Sequence, residues 1–166
     1  MKHIFLSITL ILTPLAVSAQ SQLERFEEMA SQMSLMMGEM MANEIDAQGG
    51  DGDIIRAAIP EPGWGTEMRA AAECMLEIYN SESSTTGVND MLTVMEDIIP
   101  TMADLTISQF GETMDAEMML PAGISSERSM DISRECGIIE LQMKAMSDTG
   151  FMEAMMAASA TIPDSE

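Results

Sequence analysis

The sequence predicts an all-α protein, a small antiparallel bundle of about five or six helices with one disulfide between helices, following a cleaved signal peptide. Three observations predict it. Apolar residues recur at alternating spacings of three and four along most of the chain. No segment alternates with a period of two between hairpin turns. The breaks between periodic runs are short and rich in Gly, Pro, Ser or Asp, which favours antiparallel neighbours. The length of 166 residues and the mean hydropathy of +0.09 suit one globular domain rather than a disordered chain.

Residues 1–19 have the layout of a secretory signal peptide. Lys2 and His3 precede an apolar run over 4–12, Pro14 follows, and Val17, Ser18 and Ala19 supply small residues for cleavage after Ala19. The run is shorter than the ~20 residues that span a bilayer, and no later segment approaches that length, so no stable membrane insertion is expected. The helical domain is then residues 20–160, followed by a disordered acidic tail over 161–166. The expected location is exported, periplasmic or secreted. Cleavage would remove His3, the only histidine, and with it Ser-His-Asp and Cys-His catalysis, His-ligated zinc and any histidine pH switch.

Ser21 and Glu24 form a capping box for the first helix. Its seam is Leu23, Phe26, Ala30, Met33, Met37 and Met40, widened by Met29, Met36 and Met41, while Glu24, Glu28, Gln32 and Glu39 lie opposite. The glycine-bearing run 46–53 ends it. A short turn of helix over 54–59, capped by Asp53, leads into Pro60, Pro62, Gly63 and Gly65, which force a non-helical connection around Trp64. Thr66 caps the next helix, with Met68, Ala71, Ala72, Met75, Ile78 and Tyr79 inward and Cys74 at the edge of that face. A Ser/Thr-rich loop over 81–87 precedes a helix with Val88, Met91, Leu92, Met95, Ile98 and Ile99 inward. Pro100 predicts a kink or restart before Met102 and Leu105. Beyond Pro121 and Gly123, Ser125 or Ser126 starts a long helix whose buried seam is Ile132, Cys136, Ile139, Met143 and Met146. Gly150 separates a last short helix with Phe151, Ala154, Met155 and Ala158 inward.

The charge narrows the function classes. Twenty-eight acids stand against seven Lys and Arg, for a net charge of −21. Nucleic acid and anionic membrane surfaces need clustered cations on the protein, so neither is an expected partner. In an oxidising compartment Cys74 and Cys136, an isolated pair outside any CxxC motif, predict one disulfide. Carboxylates are abundant, but no pair stands out for acid/base work, aromatic residues are too few for a sugar platform, and no enzymatic activity is expected. The acidic run 46–54 lacks the first, third and twelfth oxygen ligands of a calcium-binding EF-hand loop.

Two readings of the 21 methionines stand side by side. Thioethers are soft ligands suited to Cu(I), so Met33, Met36, Met37, Met40 and Met41 are candidate donors for a periplasmic copper carrier or buffer, the one cofactor the sequence suggests. The same spacing is what a helix needs to bury a stripe or to offer an adaptable apolar surface, and that segment has no histidine, cysteine or aromatic cap for a metal. Trp64 either pins its loop onto the helices or faces a partner. The preferred expectation is an exported, non-enzymatic binding or structural protein with a methionine-rich apolar face, meeting a protein partner or a second copy of itself.

Overall fold

The computed structural model describes residues 15–61, 63–102, 105–113 and 116–163. Among them the chain is helical and contains no strand: α1 (Leu15–Ala47), α2 (Asp53–Arg56), α3 (Thr66–Glu82), α4 (Thr85–Met102), α5 (Ile107–Thr113), a 3-10 turn (Ala116–Met119), α6 (Ser126–Glu135), α7 (Ile138–Asp148) and α8 (Phe151–Ser159). These outnumber the expected helices because 107–113 forms one of its own and the long helix begun at Ser126 is broken in two. Most of residues 1–19, expected to form a signal peptide, lies outside the described residues.

The frame is an up-down-up set. Gln22 near the start of α1 meets Asn80 near the end of α3, and Arg69 at the start of α3 pairs with Glu27, so α1 and α3 run antiparallel. The two-residue connection Ser83 and Ser84 turns the chain back, and α4 passes beside α1 in the same direction, with Asn89 on Gln22 and Glu96 on Arg25. The Ser/Thr-rich stretch is therefore mostly helix, its hydroxyls serving the α4 start: the Gly87 N–H donates to Ser84 Oγ at 3.0 Å.

The main core is filled from these three helices and closed by α6, with Met29, Leu76, Val88, Leu92, Met102 and Ile132 among its most buried members. Buried Gln22 crosses it at one end. Its Nε2 donates to Asn89 Oδ1 (3.0 Å) and its Oε1 accepts from Asn80 Nδ2 (2.9 Å), so one amide joins three helices. Tyr79, buried, shares a 2.6 Å hydrogen bond with Ser129 and so joins α3 to α6; burial pushes its phenol above the ordinary range.

A second, smaller core sits at the far end of α1, where Ala42, Ile55 and Ala158 bring α1, α2 and α8 together. Gly52 permits this. A Cβ there would lie 2.3 Å from the Ala42 carbonyl oxygen, so only glycine lets α2 start against the backbone of α1. The Gly52 N–H donates to Asp46 Oδ1 at 2.8 Å, so α2 is capped from α1 rather than by Asp53. From there residues 57–61 and 63–65 lie along α1: Ile59 covers Gly38, the Gly63 N–H donates to Ser31 Oγ, and the Trp64 N–H donates to Glu27 Oε1 at 2.9 Å.

Several expectations are corrected. The helix continues upstream through Ser21 to Leu15, so the capping box does not start it; a cap needs a non-helical residue, and 15–20 is built of residues that tolerate helix. Helix α3 is capped by Gly65, not Thr66. Pro100 sits inside α4, which runs from Thr85 to Met102, so the chain does not restart there. The break in the long helix is Gly137, whose φ of 75° is left-handed and terminates α6 at Cys136 before α7 departs in a new direction. Ser125 caps α6 as expected, its Oγ accepting from the Arg128 N–H. Thr161, read as the start of the tail, is tied back: its Oγ1 accepts from the Asp51 N–H at 2.7 Å and donates to the Ala158 carbonyl. Residues 164–166 lie outside the described residues.

Candidate binding surface

The disulfide is present. Cys74 and Cys136 are bonded with Cα atoms 5.8 Å apart, joining α3 to the junction of α6 and α7. It therefore anchors the root of α7 beside the main core.

The five candidate copper donors do not share one environment. Met33 and Met36 are half-buried against the main core, Met40 is buried, Met41 packs on the second core, and Met37 is 37% exposed. The true seam of α1 runs through Leu23, Phe26, Met29, Met33, Met36 and Met40, one position round from the expected one, with Met29 only 2% exposed. Most of these thioethers fill the space between helices, the packing alternative of the two readings. Among the described residues no group of three or more His, Cys, Asp or Glu side chains is placed to hold a metal ion. Trp64 is half-buried, packed edge-on against Phe26 at 5.5 Å between ring centroids. That is a loop anchor's position. Beside it an open depression of about 460 Å³ is lined by Glu24, Glu27, Glu28, Ser31, Gln32 and Leu35 of α1 together with Gly63.

Other methionines are exposed elsewhere. Met118 (55%) in the 3-10 turn and Met130 (48%) on α6 are on separate elements, whereas Met143 (58%) and Met146 (38%) on α7 and Met152 (48%) and Met156 (66%) on α8 are on consecutive helices joined by Thr149 and Gly150. Met143 and Met146 were expected in a buried seam. That seam is continuous only along a straight helix; after the left-handed turn at Gly137, α7 keeps Ile138 in the core, half-buries Ile139 and Leu141, and then leaves, so that every residue of 142–149 is exposed. Helix α8 turns Phe151, Ala154, Met155 and Ala158 inward as expected, and the same period puts Met152 and Met156 outside. The signal for this surface was legible in α8 and hidden in α7 by one glycine.

The arginines of the fold are used in its own ion pairs. Every arginine is committed to carboxylates, most of them across helices. Arg25 binds Glu96 bidentately at 2.7 and 2.9 Å, Arg69 pairs with Glu27, Arg56 with Glu39, Asp46 and Asp53, Arg128 with Glu82 and Glu135, and Arg134 with Asp131. Over residues 138–159, by contrast, exposed Glu140, Asp148 and Glu153 face a single cation, Lys144, which lies 3.9 Å from Glu67 of α3.

The clamps carry a pH dependence. Hydrogen bonding from Arg25 holds the Glu96 carboxyl below its usual range, Arg128 does the same to Glu82, and for Asp46 the Gly52 N–H acts first and Arg56 second. A carboxyl depressed in the folded state contributes stability that is complete above its unfolded value and is lost as pH falls through the folded one. The thermal advantage of wild type over Glu96→Gln is therefore expected to be constant from about pH 7 to about pH 5, to decline as pH falls below about 4.3, and to be gone once pH lies below the depressed folded value. Melts followed by circular dichroism check it, and an advantage that persists at about pH 2 would contradict it.

No protein-family profile, curated protein or solved structure matches the chain. No helix among the described residues is long and apolar enough to cross a membrane.

Proposed function

We propose that this is an exported, non-enzymatic binding protein whose recognition surface is the methionine-rich face of α7 and α8. The observation that carries the reading is the exposure of Met143, Met146, Met152 and Met156 on adjoining helices while the methionines of α1 and α4 are largely used in packing. Exposed apolar side chains gathered in one region mark interaction surfaces, and methionine's flexible, polarisable thioether adapts to varied apolar shapes. The leader-like residues 1–19 support export, and a disulfide suits an oxidising compartment. The net charge of −21 keeps a domain with such a face in solution.

A hydrophobic dye tests the reading directly. The native protein should enhance the fluorescence of an uncharged polarity-sensitive probe such as Nile red, and the quadruple variant M143S/M146S/M152S/M156S should lose most of that enhancement while keeping its melting temperature, because the replaced side chains are exposed. A native protein that leaves the dye dark, or a variant that stays as bright, would sink it.

A further inference from the structure

We propose that the partner received by this face is a cationic amphipathic helix, an inference that rests on the binding role above. Residues 142–149 are exposed throughout, so no element among the described residues buries the second half of α7. Met143 and Met146 are three residues apart and Met152 and Met156 four apart; each pair makes a one-turn ridge along its helix. A partner that covers such ridges presents its own apolar residues at helical spacing, with methionine adapting to their shapes.

Charge selects among the amphipathic candidates. Glu140, Asp148 and Glu153 border the methionines, and the one cation nearby, Lys144, already has Glu67 as a neighbour. Lysines or arginines on the partner's polar side meet uncompensated carboxylates. A second copy brings the same net charge of −21 and is repelled, as is an anionic helix. The arginines that could have welcomed an acidic partner are bound to carboxylates within the fold.

The experiment titrates the full-length protein with two fluorescent peptides of about 14 residues and identical helical pattern, one of leucine and lysine, the other of leucine and glutamate. The lysine peptide should bind, and the glutamate peptide should not. M143S/M146S/M152S/M156S should weaken binding at least about tenfold. E140Q/D148N/E153Q should weaken it several-fold, and so should raising salt from about 50 to about 300 mM. All seven residues are exposed, so unchanged helicity and melting temperature confirm that the variants are folded. Equal binding of both peptides, or indifference to E140Q/D148N/E153Q, overturns the charge selection and leaves the binding role standing. Failure of both peptides alongside a bright dye signal overturns the cationic helix alone; failure of both peptides and dye removes the binding role as well. A dimer in sedimentation that the methionine substitutions disperse makes a second copy the occupant and overturns the proposal.

Discussion

Replacing Cys74 and Cys136 together by serine is expected to destabilise the protein by about 4 kcal/mol, the loop-closure value for 62 residues of separation. For a domain whose whole stability is on the order of 5–15 kcal/mol this is a large share. The bond joins α3 to the residue immediately before Gly137, the point from which α7 leaves the main core. Its loss therefore acts on the unfolded chain and on the seat of α7 together. In denaturant melts the reduced wild type and the double serine variant should share one midpoint, lowered relative to that of the unreduced wild type. A shift worth less than about 1 kcal/mol would show that the two helices are held by their side-chain packing alone.

The second large effect separates two methionines of one helix. Met29→Ala should cost about 3 kcal/mol, because Met29 is 2% exposed in the main core and its removal leaves a cavity between α1 and its neighbours. Met37→Ala should cost less than about 1 kcal/mol, since that side chain is 37% exposed. Heptad counting assigns the opposite ranks, with Met37 in the seam and Met29 on its flank. Urea denaturation of the two variants decides between the registers, and equal losses would contradict the observed burial.

The reason for that shift lies in the neighbours of α1. A stripe as wide as the one in α1 has more apolar positions than a single packing line requires, and the choice among them depends on where α3, α4 and the residues around Ile59 and Trp64 approach. Gly38 shows the principle: Ile59 lies over it, so the side of α1 that carries a small residue is covered by the loop. The inward faces of α3 and α4 were largely legible, because their buried residues recur at helical spacing. Leu76, 2% exposed, was missed beside Met75 because two adjacent apolar positions can both fall inside a broad face. The candidate surface was legible in part. The outward methionines of α8 follow from its inward ones, whereas those of α7 depend on the left-handed turn at Gly137, which sequence periodicity passes over.

Helical character, the pairing of the only two cysteines and the inward faces of α3, α4 and α8 were determined by the sequence alone. These are local or combinatorial properties: a period near 3.6 needs no partner to be read, and two cysteines allow one intramolecular bond. Which methionines became core and which remained in solvent was decided only by the tertiary structure. An apolar stripe says that a helix can be buried, but burial requires another element to arrive on that side, and the directions set at Gly52 and Gly137 deliver such elements to α1 and withhold them from the end of α7. The same residue type thereby packs one helix and offers a surface on another.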